Sequence, residues 1–102
     1  MYELNKYQDQ IRKLCDLHGV RSLFAFGSVL TDRFGPDSDI DLVVDISSSD
    51  PIAYSDHYFS LKFGLEQLFN RKIDLLESRA LRNPILKHQI EQTQVLLYVD
   101  AK

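Results

Sequence analysis

Apolar residues recur at helical spacing near the start of the chain, where Leu4, Tyr7, Ile11, Leu14 and Leu17 fall three or four positions apart. That period buries one stripe of a helix. Gly19 stands where a helix commonly ends on a left-handed residue, so a first helix over 4–17 is predicted. The pattern then changes. Ser22-Leu23-Phe24-Ala25-Phe26 is a short apolar run closed by Gly27, and so short a run suits a buried strand better than a helix. Residues 29–38 contain Asp32, Gly35, Pro36, Asp37 and Ser38, which predicts a short helical turn followed by a loop.

From Asp39 to Ile46 the chain alternates. Ile40, Leu42, Val44 and Ile46 share one face of a predicted strand, and Asp39, Asp41, Val43 and Asp45 share the other. Ser47 to Pro51 is a turn-rich break. A second helix follows, with Tyr58, Leu61, Leu65, Leu68 and Phe69 on one face and Ser55 or Asp56 as the expected N-cap. Asn70-Arg71 reads as a turn. Lys72 to Leu76 reads as a third strand, in which Ile73 and Leu75 face away from Asp74. Pro84 to Glu91 suggests a helix with proline in its first turn, and Val95 to Val99 a last short strand. The order α-β-(α)-β-α-β-α-β intermixes the elements too closely for separate helical and sheet domains. The expected fold is α/β (α+β), a small mixed sheet flanked by helices.

A length of 102 residues matches one compact domain, expected to span 1–102. Apolar residues make up 44% of the chain, enough for one core. The formal charge of −3 offers no general attraction to a nucleic-acid backbone, so nucleic acid is not an expected partner. The single Cys15 cannot form an internal disulfide and reads as an apolar filler on the first helix. The N-terminal MYELNKYQDQ has no apolar signal region, and no apolar run approaches the roughly 18 residues of a membrane span. A cytoplasmic, soluble protein is expected. His18, His57 and His88 lack metal-ligand spacing and read as surface or capping residues, with His57 at the start of the second helix. Tyr2, Tyr7, Tyr54, Tyr58 and Tyr98 read as core or interface residues.

The acids on strands carry the chemistry. Asp is rarely buried unless it is paired or bound to metal. Asp39 and Asp41 sit two apart, so a strand projects both from one face. Like charges that close raise one another's pKa unless a cation lies between them. Hard oxygen ligands favour Mg²⁺, which is usually held by a few carboxylates together with phosphate oxygens. Gly27-Ser28 supplies a complementary feature, since glycine at a strand end permits close backbone approach and amides at the start of a helical turn attract phosphate. Taken alone, that dipeptide is common in ordinary turns.

The spacing joins the two features. Gly27-Ser28 is followed by Val29 to Ser38 and then by Asp39-Ile40-Asp41, which resembles the G-S-x10-D-x-D signature of the DNA polymerase beta-like nucleotidyltransferase superfamily. Asp74, within Lys72-Ile73-Asp74-Leu75, sits where that superfamily has its third carboxylate. Over residues 3–99 the chain is similar to the minimal nucleotidyltransferases, including the MntA-type antitoxins paired with HEPN-domain toxins.

The resemblance implies that Asp39, Asp41 and Asp74 are catalytic and hold two magnesium ions, while Gly27 and Ser28 bind the triphosphate of ATP. Asp45 lies past this group and reads as surface. The sequence departs from its relatives after Gly-Ser, where Val29, Leu30 and Thr31 replace basic residues. Arg33 is the nearest cation, open to a role in nucleotide binding or to a solvated loop, and Lys72 is another possible phosphate contact. The implied reaction transfers AMP from ATP to a hydroxyl, that of a tyrosine, on a HEPN toxin. Two alternatives stand beside it: an antitoxin that acts by occlusion alone, and a stand-alone transferase for a small molecule or RNA end. An oligomer with the partner is expected. Base preference and stoichiometry are not legible in the residues.

Overall fold

A computed structural model describes residues 4–31 and 33–100. Tyr2 and Asp32, read above as an aromatic of core or interface and as a loop residue, lie outside the described residues. A 3-10 turn, Leu4–Tyr7, leads into α1 (Gln8–Leu17), followed by β1 (Val20–Phe26), a second 3-10 turn (Gly27–Leu30) and β2 (Ile40–Ile46). Next come α2 (Pro51–Phe69), β3 (Ile73–Glu77), a 3-10 turn (Ser78–Ala80), α3 (Pro84–Thr93) and β4 (Val95–Val99). The four strands form one mixed sheet in the order β3-β2-β1-β4. β1 runs antiparallel to both β2 and β4, and β2 pairs in parallel with β3. Among the described residues, no helix is long and apolar enough to cross a membrane.

One sheet face carries the core. Leu23 and Ala25 of β1, Ile40, Leu42, Val44 and Ile46 of β2, and Ile73 and Leu75 of β3 all point into it. α1 packs over β1 and β4, and α2 over β2 and β3. Ile11 and Cys15 from α1 join Leu61, Leu65 and Phe69 from α2 there. Burial pushes the Cys15 thiol up to about 12, with Asp16 adding to the shift, so it behaves as the apolar filler expected. On the opposite face Val43 of β2, Phe24 of β1 and Ile90 of α3 line one small crevice. The period-two alternation of β2 thus separates a core side from a side free to carry acids.

Several local expectations change. The first helix is α-helical only from Gln8, and Leu17 is exposed rather than part of the buried stripe. α2 is N-capped by Asp50, whose side chain accepts from the Ile52 amide at 3.1 Å, so Ser55 and Asp56 are interior helix residues. Pro51 at the first helical position accounts for the earlier start, because its missing N–H costs nothing there and its φ suits a helix. His57 therefore lies in the second turn of α2, where its ring meets that of His18. α3 is capped by Asn83, which accepts from the Ile85 and Leu86 amides. β4 covers the predicted residues.

Candidate active site

The site grows from the turn that ends β1. Gly27 has φ +78, a left-handed conformation that glycine adopts without the Cβ penalty. A Cβ at this position would lie 2.6 Å from Asp41 Oδ2, so the turn and the carboxylate touch only because the residue is glycine. The following turn is held from below. Val29 is fully buried and Leu30 packs against the core, which gives a physical reason for apolar residues directly after Gly-Ser. Thr31 closes the turn, its amide and its hydroxyl both donating to the Ser28 carbonyl at 2.9 Å.

The strands then assemble the acids. In the antiparallel pair Asp41 faces Phe26, the last residue of β1, and in the parallel pair Asp41 is the register partner of Asp74. Neighbouring strands lie about 4.8 Å apart, so these two carboxylates leave adjacent strands from the same face. Asp39 does not belong to the strand, which begins at Ile40; it is exposed and directly precedes it. Burial, then the charge of Asp74, then that of Asp39 push the Asp41 carboxyl above the ordinary range. Two acids therefore act on the third, and a cation bound beside Asp41 would relieve the repulsion.

The loop that presents Asp39 is pinned by Arg71, whose guanidinium donates to the carbonyls of Gly35 at 2.8 Å and Ser38 at 2.9 Å. The same group lies 4.3 Å above the centre of the Phe34 ring. The sequence offered only a turn at Arg71, because its partners lie more than thirty positions away. An open cleft of about 610 Å³ is lined by Gly27, Ser28, Leu30, Thr31, Arg33 and Thr93. Arg33 therefore shares the cleft with the Gly-Ser turn, as does Thr93 at the end of α3, whose hydroxyl donates to the Gln89 carbonyl at 3.0 Å and which the sequence did not mark. Lys72 is exposed. Asp45 is not simply surface: it is half-buried between Arg21 at 3.9 Å and Arg79 at 3.7 Å, and this pairing keeps it apart from the acid group.

A strand ending in a glycine turn against a carboxylate, with a second carboxylate in register on the next parallel strand, is the frame of a nucleotidyltransferase. Residues 9–102 match the family described as Polymerase beta, Nucleotidyltransferase, and the chain belongs to that family. Two chains of Methanocaldococcus jannaschii that bear the provisional name protein adenylyltransferase are similar to it at 29% and 30% identity, each over 97% of this chain and 100% of the relative. A solved structure described provisionally as a minimal nucleotidyltransferase shares the fold with a TM-score of 0.74 and 28% identity, covering 90% of each chain. A chain from a complex of tri-AMPylated Shewanella oneidensis HEPN toxin with MNT antitoxin shares it with a TM-score of 0.64 and 22% identity, over 94% of this chain and 72% of that one. A toxin–antitoxin structure with AMP-PNP gives a TM-score of 0.69 at 23% identity, over 92% of this chain and 74% of that one.

Proposed function

We propose that this chain is a magnesium-dependent protein adenylyltransferase that moves AMP from ATP to a tyrosine hydroxyl of a HEPN-domain toxin and so acts as its antitoxin. The observation that carries the reading is the contact of Gly27 with Asp41 beside the in-register Asp74, which puts a phosphate-binding turn next to paired acids. The names of the Methanocaldococcus relatives and the AMPylated Shewanella complex support the reaction and the partner.

The residues fit magnesium, an ion ordinarily held by one or two carboxylates together with phosphate oxygens and water. Among the described residues no three acid, imidazole or thiol groups converge as a ready-made cage, which suits a shell shared with the substrate. Asp41 and Asp74 would hold the ions, with Asp39 closing in from the loop. When bound, they neutralise the charge that develops on the transferring phosphoryl group.

The chain's own groups do the rest. Gly27 and Ser28 bind the β- and γ-phosphates, with Arg33 in the same cleft, and this aims the α-phosphorus at the acids. The acceptor oxygen attacks the α-phosphorus in line, the bond to the β-phosphate oxygen breaks, and pyrophosphate leaves. Asp74, exposed at the rim, takes the acceptor's proton.

Exposed apolar residues on α3 and β4, among them Ile85 and Leu96, favour a second contribution in which physical binding of the partner also inhibits it. One experiment separates the two. The chain is incubated with Mg²⁺, ATP labelled at the α-phosphate and a HEPN-domain toxin. Transfer of label to a tyrosine, abolished by Asp41→Asn together with neutralisation, is expected. Neutralisation undiminished by Asp41→Asn would sink the catalytic reading in favour of occlusion, and label on RNA or a small molecule without a partner would favour a stand-alone transferase.

A further inference from the structure

At the end of the sheet away from the acids, α1 and α2 meet through two imidazoles. His18 caps the C-terminus of α1 and His57 lies in the second turn of α2. Their Nδ1 atoms approach to 3.3 Å, with the rings edge to face and 5.5 Å between centroids. In the metal-free pair one Nδ1–H donates to the lone pair of the other. The separation also has a coordination meaning. Two nitrogens bound to zinc at about 2.0–2.1 Å and at the tetrahedral angle stand about 3.3–3.4 Å apart.

The surroundings suit a cation. Both rings line a cavity of about 300 Å³ together with Ser47, Ser48, Ser49 and Asp50, so hydroxyls and one carboxylate share the space with the ring nitrogens. The cavity wall is fixed: the Ser47 amide donates to the Gly19 carbonyl at 3.0 Å and its hydroxyl donates to the same oxygen at 3.2 Å. Asp50 is held by its cap to Ile52. Burial, then the neighbouring His57, hold the His18 pKa below the usual histidine range, so His18 is neutral and ready to ligate at pH 7.

We propose that His18 and His57 chelate one Zn²⁺ through their Nδ1 atoms, with water completing the shell. Imidazole is a suitable ligand for this ion, whereas magnesium prefers oxygen. Binding needs both Nδ1 lone pairs. The ring that donates in the metal-free pair therefore moves its proton from Nδ1 to Nε2, a change of tautomer that keeps the proton on the same ring. Among the described residues no third acid or imidazole converges on the pair, so the site is open and weaker than a closed four-ligand zinc site. It ties the end of α1 to α2. The site lies at the Ile46 end of β2, whereas the acids lie at the Ile40 end, and it does not depend on the proposed adenylyl transfer.

The test titrates ZnCl₂ into the full chain in the presence of excess MgCl₂, reading calorimetry and the ¹⁵N resonances of the histidine rings. One Zn²⁺ per chain is expected, with the His18 and His57 ring resonances shifting together while those of His88 stay in place. His57→Ala and His18→Asn should each weaken binding at least tenfold, and His88→Ala should leave it unchanged. Ring resonances of His18 and His57 that do not move in the unaltered chain would overturn the proposal whether or not the variants fold. Equal affinity in the His57→Ala and His88→Ala chains would overturn it too.

Discussion

Replacing Gly27 by alanine tests the centre of the site with two separable costs. The first is backbone strain, since φ is +78 and an L-residue in the left-handed region costs about 1–2 kcal/mol. The second is the added Cβ, placed 2.6 Å from Asp41 Oδ2, which forces the carboxylate to turn away. An off-rotamer side chain costs about 0.5–1.5 kcal/mol more. Gly19 provides the control, because it has φ +66 but nothing within 4 Å of an added Cβ, so Gly19→Ala meets the strain alone. At roughly 4–8 °C per kcal/mol for a domain of this size, Gly27→Ala should melt several degrees below Gly19→Ala. In an Asp41→Ala background the excess should vanish, since the clashing oxygen is gone. Transfer of label from ATP should fall by about a hundredfold, the order expected when a reacting group is displaced by 1 Å. Thermal melts of the four variants and the unaltered chain, with a transfer assay, check both parts. Gly27→Ala melting no lower than Gly19→Ala, with transfer within twofold of the unaltered chain, would refute the close contact of turn and acid.

Asp41→Asn should abolish transfer yet stabilise the metal-free protein at pH 7. The folded carboxyl is pushed up by burial, Asp74 and Asp39, so its contribution to stability is greatest at low pH and falls as pH rises through the raised folded value; added Mg²⁺ should narrow the gap in melting temperature between the two chains. Asp50→Ala should cost about 1 kcal/mol through the lost cap, seen as a lower melting temperature, while Ser55→Ala and Asp56→Ala leave it near the original. For His18 the folded pKa is lowered by burial and His57, so the unfolded chain takes up its proton first. Stability should therefore decline as pH falls below the ordinary value of 6.5 and on through the lowered folded value. His57→Gln should flatten that slope in denaturant titrations across the window.

The course of the central elements was legible because β1, β2 and β3 each bury one face. Period-two alternation placed Asp41 opposite Ile40 and Leu42 before any contact was known, and the apolar run at Val95–Val99 coincides with β4. Gly19 follows α1 in the left-handed conformation expected of it, and the predicted turn at Asn70 is left-handed as well. The start of α2 was misread for a local reason. Ile52 is 75% exposed and no residue of the first turn is fully buried, so only the Asp50 cap and Pro51 mark its start.

The sequence by itself determined the ingredients of the site: a glycine turn at a strand end, two acids two positions apart and a third on a later strand. Periodicity and spacing express such features because they depend on neighbours along the chain. Tertiary structure alone decided the assembly. The parallel register sets Asp74 beside Asp41, Arg71 reaches back to hold the loop before Asp39, and Thr93 enters the Gly-Ser cleft from the end of α3. His18 and His57, thirty-nine positions apart, meet only where α1 packs on α2. These contacts follow from strand order and helix packing, which the burial of the whole core selects and no local pattern records.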